Sequence, residues 1–346
     1  MPLYMDIHVM DIDELLAEDV AKAHVEDLKV EARHDVQQLK YWVDTTNKKV
    51  FCLMRGPSKA ACHAVHRESH GMTACNIVEL SEDESRFLLL GGSKNDLAYA
   101  ESGALDPGYR TLLRLDLIGG EGERQRIGQT LEQVIRGEGG HVIPLPSAEV
   151  LAYFSKANGA LACARAVVEL LSRSAQPVEY SLGILTDQIL DPDSAHLFDE
   201  AKQRLRGLAR LGLTDHVFVD EDTLAMASTD RLDLKGVTVL SPEQLAFLGR
   251  ALAVVDAQIA DPDFNVGSLS SRLGISKATA YRTLTRLLDL SPREFIRRIR
   301  LQRSLELLRA EGATVAEVAY AVGFSSPSYF TRAFKARYRA LPSAWH

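Results

Sequence analysis

The 346 residues exceed one ordinary hydrophobic core and point to two or three domains. With 46% apolar and 25% charged residues, and no apolar run near the ~20 residues of a membrane helix, the composition is that of a soluble globular chain and excludes a membrane partner. The net charge of −7 argues against nucleic-acid binding until it is divided. Residues 243–346 hold 13 Arg and 2 Lys against 9 acids, a net of +6 that leaves −13 on the rest. That is the asymmetry of a nucleic-acid-binding module joined to an acidic body. Residues 1–11 carry neither a basic flank nor a small-residue cleavage site, and Cys52, Cys62, Cys75 and Cys163 show no framework spacing. Free thiols and a cytoplasmic location are therefore expected.

In chain order, residues 5–9 alternate as a short strand. Residues 13–34 have helical spacing, with Asp13 as the expected N-cap and Leu15, Leu16, Val20, Ala23, Leu28 and Val30 apolar. Strands are expected at 39–43 and 50–54 around a turn at 45–48, then a helix at 58–70 stopped by Gly71, then a strand at 75–80. The order β-α-β-β-α-β is the ferredoxin-like split unit, assigned to residues 1–83.

Its two helices carry the residues of interest. His66 and His70 are four apart and share a helix face, with His63 one turn earlier; His24, Asp27, Glu31 and His34 recur at spacings of 3, 4 and 3. Both helices of such a unit lie on one side of the sheet, so the two faces can meet, or pair across a dimer. Imidazole with carboxylate suits nickel, zinc, cobalt or copper. Solvated surface histidines are the competing reading. The segment resembles small ferredoxin-like proteins described as nickel-binding, through A-H-V-E-D-L at 23–28, L-K-Y-W-V-D at 39–44, K-V-F-C-L at 49–53 and A-V-H-R-E-S-H-G at 64–71. The resemblance implies a transition-metal ion, nickel favoured, with His24, His66 and His70 as first ligands and Asp27, Tyr41 and Cys52 as further ones. Cys52 equally suits a buried strand position.

Residues 84–108 read as a linker, since 91–108 are rich in Gly, Ser, Asn and Asp. A second α+β unit follows at 109–240. Strands are expected at 110–118, 141–145, 149–154, 178–185 and 217–219, and helices at 125–137, 158–172 and 196–212. This unit resembles class III nucleotidyl cyclase domains through L-D-L-I-G-G at 115–120, G-G-H-V-I at 139–143, V-L-A-Y-F at 150–154, A-L-A-C-A-R-A-V at 160–167, S-L-G-I-L-T at 181–186 and L-K-G-V at 234–237. That chemistry needs two carboxylates to hold two metal ions on a triphosphate. Asp116 matches the first; Ala148 stands where the family has the second, with Glu149 beside it. The family's later asparagine and arginine fall near Asp199 and Arg204. No enzymatic activity is expected, and the unit reads as a nucleotide- or small-ligand-binding relic or a dimerisation platform.

From 241 to 346 only helices are expected, and two segments share one grammar. The first is a short helix at 266–273, Gly274 at the turn, and a helix from Ser276 to about 288. The second is 314–322, Gly323, and a helix at 327–338. A short helix, a glycine turn and a second helix is the helix-turn-helix pattern. A long helix at 292–308 separates the two. I-R-L-Q-R-S-L-E-L-L at 299–308, T-V-A-E-V-A-Y-A-V-G-F-S-S-P-S-Y-F-T-R-A-F-K at 314–335 and Pro342 resemble the AraC/XylS family. The departures are Asp289 and Ala340, where the family usually has Gly, and the His346 ending. The resemblance implies recognition helices at 276–287 and 327–337, in major-groove faces about one helical turn apart. Base-reading positions are then Ala278, Tyr281, Arg282, Ser328 and Arg332. Lys277, Thr279, Thr331, Lys335 and Arg337 would hold phosphates, fixing register and salt dependence.

The expected architecture is thus multidomain: α+β ferredoxin-like, α+β cyclase-like, and all-α tandem helix-turn-helix. The expected function is a DNA-binding transcription regulator that answers to a metal in the first domain. Alternatives are a regulator answering to a nucleotide or other small molecule in the second domain, or an active cyclase tethered to DNA. Double-stranded DNA, the effector and RNA polymerase are the expected partners, and a homodimer the expected assembly.

Overall fold

In the computed structural model, residues 1–89, 97–100, 102–118, 121–143, 149–173, 178–309 and 312–345 are described. The first layer is set by alternation on four strands: β1 (Leu3–Val9), β2 (Gln37–Asp44), β3 (Lys49–Arg55) and β4 (Asn76–Glu79), all antiparallel in the order β2-β3-β1-β4. Helices α1 (Ala17–Val30) and α2 (Lys59–Ser69) cover one face. Successive strand residues point to opposite faces. Tyr4, Tyr41, Val43, Cys52, Met54 and Ile77 therefore pack under the helices. Met5, Ile7, Trp42, Phe51, Leu53 and Val78 pack the other way. The expected cap Asp13 is not used: α1 starts four residues later behind Leu16, which has no side-chain oxygen to offer, and it tightens into a 3-10 turn at Glu31–His34. Ser58 does cap α2, its Oγ accepting from the Ala61 N–H at 3.2 Å.

Part of the expected linker is structured. Residues Glu82–Leu89 form α3, and Ala98 donates its N–H to the Tyr41 carbonyl at 2.8 Å, extending the β2 edge. Glycine-rich composition concealed the second of these, which depends on a surface supplied by another segment, whereas α3 holds no glycine and starts just before the assigned linker.

The second unit is a six-stranded sheet in the order β10-β9-β8-β5-β7-β6. Its elements in chain order are β5 (Tyr109–Ile118), α4 (Glu121–Gly137), β6 (Gly140–Ile143), β7 (Glu149–Phe154), α5 (Ala157–Ser172), β8 (Glu179–Gln188), α6 (Asp199–Ala209), β9 (His216–Asp220), α7 (Glu221–Met226) and β10 (Val237–Leu240). One face packs on α4, α5 and α7 through Leu113, Leu115, Phe154, Leu182 and Ile184. The opposite face, with Leu112, Leu151, Tyr153 and Leu185, shares a core with the free face of the first sheet and with α6. Polar contacts rim this joint. Lys49 Nζ donates to Gln188 Oε1 at 2.6 Å, Gln188 Nε2 to Asp44 Oδ2 at 2.6 Å, and Asn76 Nδ2 to the Ser194 carbonyl at 2.7 Å.

The helical end comprises α8 (Pro242–Asp256), α9 (Val266–Arg272), α10 (Lys277–Leu288), α11 (Pro292–Leu308), α12 (Val315–Ala321) and α13 (Pro327–Tyr338). Leu245, Leu248, Leu269, Leu284 and Phe295 continue the core that joins the two sheets. The second helix pair packs separately, Phe324, Phe330 and Phe334 against Leu301, Leu305 and the middle domain's Ile118. Among the described residues no helix is long and apolar enough to cross a membrane. Cys52, Cys62 and Cys163 are buried free thiols and Cys75 an exposed one.

Candidate metal centre and nucleic-acid interface

The covered face of the first sheet carries a polar cluster where apolar packing would be expected. Asp6 and His8 are alternate residues of β1, Cys52 lies opposite Asp6 on β3, and all three point under α1 and α2 with Tyr41 of β2. From above come His24 and Asp27, one turn apart on α1, and His66 and His70, one turn apart at the end of α2. His66 is the hub. Its Nε2 lies 2.8 Å from Asp6 Oδ2 and its Nδ1 3.2 Å from Asp27 Oδ1. His70 Nε2 lies 3.3 Å from the same Asp27 oxygen, to which Ser69 Oγ donates at 2.5 Å. His8 Nε2 is 3.5 Å from Asp6 Oδ2, and the Cys52 N–H donates to Asp6 Oδ1 at 3.1 Å.

A neutral imidazole has one donor and one acceptor nitrogen, yet both nitrogens of His66 face carboxylates. Burial opposes its charge, but Asp6 and Asp27 outweigh burial and hold the ring protonated, with a pKa of about 10. Burial likewise opposes the charge on Asp6 and Asp27, and the facing histidines reverse it, holding both carboxyls well below their ordinary value. Burial, then Asp6 and Asp27, push the Cys52 thiol well up, so without a cation it stays protonated.

The donor atoms form two sets that share His66, one with Asp6, His8 and Cys52 and one with Asp27 and His70, with atoms within 4.8 Å of one another in each. A cavity of about 130 Å³ opens beside them. His24, Asp27, Tyr41, Cys52, His66 and His70, the six residues taken from the sequence, all line it; His24 stacks on Tyr41 with ring centroids 4.4 Å apart. The sequence reading missed Asp6 and His8. The signal was there, as polar residues at alternate positions of a strand whose intervening residues are Met5 and Ile7. Of the two other histidines that shared the helical spacing, His34 pairs with Glu68 at 2.7 Å, and His63 lies outside the cavity though near enough to feel Asp6, His8 and His66. Two carboxylates, Asp6 and Asp27, converge on the one imidazole ring of His66. With borderline nitrogen donors added, this fits a divalent first-row ion.

The helical end presents its candidate readers on two faces. In α10, Ser276 Oγ caps the helix by accepting from the Thr279 N–H at 3.0 Å. Gly274 makes the preceding turn at φ +68°, open to glycine without strain. Lys277, Ala278, Tyr281 and Arg282 are exposed; Thr279 is half-buried, with its hydroxyl 2.9 Å from the capping Ser276. Asp289, where the resembling family has glycine, ends α10 in the left-handed conformation at φ +54°. In the second unit Gly323 turns at φ +76°, and a Cβ there would come within 2.3 Å of the Ile259 carbonyl, so only glycine fits. Ser328, Arg332 and Lys335 are exposed at i, i+4 and i+7, one face of α13, with Thr331 half-buried beside them.

Arg337 is a correction. Its guanidinium turns away from that face into the middle domain, with Nη1 2.8 Å from Glu179 Oε2 and Nη2 donating to Thr214 Oγ1 at 3.1 Å. A phosphate ligand must be free to reach solvent, whereas this side chain is 15% exposed and already satisfied. It ties α13 to the second sheet. A docking partner 158 residues away leaves no trace in local spacing.

The fold and these sites define a class: a tandem helix-turn-helix protein whose front domain holds a histidine–carboxylate cluster. Comparison with known proteins gives the particulars. Residues 269–346 match the model described as "Helix-turn-helix domain", and residues 4–80 match "Nickel responsive protein SCO4226-like". The chain thus carries a C-terminal AraC-type helix-turn-helix domain and an N-terminal SCO4226-like domain. It is 34% identical over 103 residues to Histidine kinase P4 of Formosa agariphila, covering 30% of this chain and 7% of that protein. It is 35% identical over 83 residues to the HTH-type transcriptional regulator CdhR of Pseudomonas aeruginosa, covering 24% of this chain and 25% of that protein. The chain therefore spans a quarter or less of the length of these two relatives. The crystal structure of SCO4226 from Streptomyces coelicolor is 32% identical, covering 22% of this chain and 94% of that one, with a TM-score of 0.21.

Proposed function

We propose that this protein is a sequence-specific, DNA-binding transcription regulator whose N-terminal domain binds a divalent transition metal, nickel favoured. One observation carries the reading: a buried His66 held between two carboxylates, beside a cavity lined by further histidines, in a chain that ends in two exposed reader faces. His24, His66 and His70 would hold the ion, with Asp27 and His8 as further donors and Tyr41 and Cys52 at the cavity wall. A bound divalent ion supplies positive charge where the metal-free protein keeps the His66 proton. The residues themselves orient the site: Ser69 fixes Asp27, and the Cys52 N–H fixes Asp6. β1 and β3, which carry Asp6, His8 and Cys52 on one face, carry Met5, Ile7 and Phe51 on the other, in the core shared with α8 and α10. A shift of these strands is thereby felt where the first reader helix packs, which gives an ion with unequal affinity for two arrangements a route to DNA affinity. Duplex contacts fall to Ala278, Tyr281, Arg282, Ser328 and Arg332 for bases, and Lys277, Thr279, Thr331 and Lys335 for phosphates.

The middle domain we assign a ligand-binding or scaffolding role without turnover. Arg114, two residues before Asp116 on β5, reaches Asp116 at 2.8 and 2.9 Å and Glu149 at 2.5 Å. The guanidinium thus engages both Asp116 and Glu149, the carboxylates that a cation would need; Ala148 lies outside the described residues. Asp199, the first residue of α6, accepts from the Ala195 and His196 N–H groups of the loop before it, and Arg204 pairs with Glu200. Elemental analysis of tag-free, full-length protein, with duplex binding measured in chelator and in nickel, tests the reading. About one ion per chain and a metal-dependent change in DNA affinity are expected. Metal-free protein that ignores nickel in both measurements refutes it, and sustained turnover of ATP or GTP refutes the inactive middle domain.

A further inference from the structure

The first turns of α11 carry arginines that neither reader helix accounts for. Arg293, Arg297 and Arg300 stand at i, i+4 and i+7, on one face of the helix. That face is the floor of a cleft of about 370 Å³ between the two helix-turn-helix units. One wall is Asn265 and Val266, at the start of α9; the other is the turn at Gly323 with Tyr329 of α13. Among the described residues no acidic side chain lines it. Arg293 is exposed and pairs with no carboxylate among the described residues. Arg297 has Glu294 on its own helix, a partly open pair of the kind that holds weakly against a stronger partner. Arg300 sends Nη2 to the Asp261 carbonyl and keeps a buried Nε without a partner. Each wall runs into a reader. Lys277, the first residue of α10, lies over Gly267 of α9, where a Cβ would come within 3.2 Å of the Lys277 Cε. Tyr329 follows Ser328, the first base-reading position assigned to α13. Arg298 on the same turn of α11 points elsewhere, its Nη1 3.5 Å from the Gly212 carbonyl of the middle domain.

We propose that this cleft seats the sugar–phosphate backbone of the minor groove lying between the two major-groove contacts, with phosphates on Arg293 and Arg297. The inference rests on the duplex-binding reading above and adds a third contact region to it. Two readers set in successive major-groove faces lie about one helical turn apart, and on that side of the duplex the minor groove passes between them. The backbone bordering that groove is a convex, anionic ridge. The surface opposite it is concave and carries guanidiniums. A helix must project to reach base edges, whereas a recess suits a ridge. Each guanidinium fork matches a phosphate in bidentate fashion, and each phosphate it neutralises releases counterions. Arg300, tied to the Asp261 carbonyl, supplies further positive charge from the floor. Because the two walls belong to the two helix-turn-helix units, a backbone seated here fixes their spacing on the duplex. Such contacts set register and carry no sequence choice of their own.

The test uses full-length protein and a duplex that it selects from a random pool, with two readouts: the slope of log affinity against log salt, and interference by phosphate ethylation. Ethylation of phosphates midway between the two base footprints is expected to block wild type. Arg293→Gln should weaken binding about tenfold, lower the slope by about 0.9 and lose that interference, with base preference unchanged. Adding Arg297→Gln should bring the total fall in slope to about 1.8. Arg293→Lys, which keeps the charge, should return the slope to that of wild type. Both positions are exposed, so the variants should melt as wild type does. Arg298→Gln removes the same charge from the same helix outside the cleft and should leave slope and interference as they are. A slope untouched by Arg293→Gln, a slope lowered equally by Arg298→Gln, or no interference midway overturns the cleft and leaves the two readers standing. Wild type without salt-dependent duplex affinity overturns the readers, and the cleft with them.

Discussion

Replacing His66 by alanine tests the metal centre and the fold that holds it at once. In the metal-free protein the change removes a buried imidazolium and strands Asp6 and Asp27, both held ionised by it. Breaking a buried ion pair from one side costs about 3–5 kcal/mol. Some of that is recovered here, since His8 and the Cys52 N–H remain on Asp6, and His70 and Ser69 on Asp27. The lower end, about 3 kcal/mol, is the expected loss, read by denaturant titration in chelator. Nickel at 100 times its Kd should stabilise the wild type by about 2.7 kcal/mol and the variant hardly at all. Loss of an outer-shell partner alone typically costs 10–100-fold in metal affinity, so loss of the hub should cost about 100-fold or more. His66→Gln, which keeps a donor and most of the volume, guards against a folding failure and should lose nickel affinity to a similar degree. A His66→Ala protein that folds and binds nickel with wild-type stoichiometry and affinity would refute the arrangement.

Three further outcomes are expected. Arg332→Ala should weaken binding to a selected duplex by about 1–3 kcal/mol and relax preference at one base, visible as a changed footprint. Lys335→Ala should reduce the salt slope of duplex binding by about 0.9, whereas Arg337→Ala should leave the slope alone and loosen α13 instead, seen as faster hydrogen exchange at both sides of the Glu179 contact. His216 supplies the pH dependence. Burial pushes its imidazole down to about 4, and its Nε2 lies 2.8 Å from Thr238 Oγ1, which donates to the Leu287 carbonyl of α10 at 3.4 Å. The unfolded chain takes up this proton near 6.5 and the folded chain near 4, so the contribution is whole above pH 6.5 and lost as pH falls toward 4, by about 3 kcal/mol. Asp187 and Asp220, raised to about 6 by burial, titrate in the opposite sense across the same range. The measurement is therefore the difference in Tm between wild type and His216→Gln, which should shrink as pH falls; a difference constant from pH 7 to 5 would count against it.

What could be read from the sequence follows the range of the interactions. The two reader pairs were legible because their determinants are local: glycine at 274 and 323, Ser276 and Pro327 at the starts of the second helices, and apolar spacing between them. The meeting of α1 and α2 faces was legible because i, i+3 and i+4 spacing fixes a helix face. Asp6 and His8 escaped because an alternating strand does not say which face is covered. Arg114 escaped because its grip on Glu149 depends on the pairing of β5 with β7, and Arg337 because its partners lie in another domain. The start of α1 escaped for a plainer reason: Asp13 is a good cap that the chain does not use.

The apolar back of the first sheet has a consequence for how this protein can be handled. Met5, Ile7, Trp42, Phe51 and Leu53 are fully buried only because the second sheet and α6 lie on them. A fragment cut after residue 83 would turn that slab to water and seek a mate, either a twin or an aggregate. A free-standing cousin of the sensor must hide the same slab by pairing or carry other residues there. Here the second sheet and α6 take the place of such a mate, so the first sheet and the helical end are parts of one continuous core.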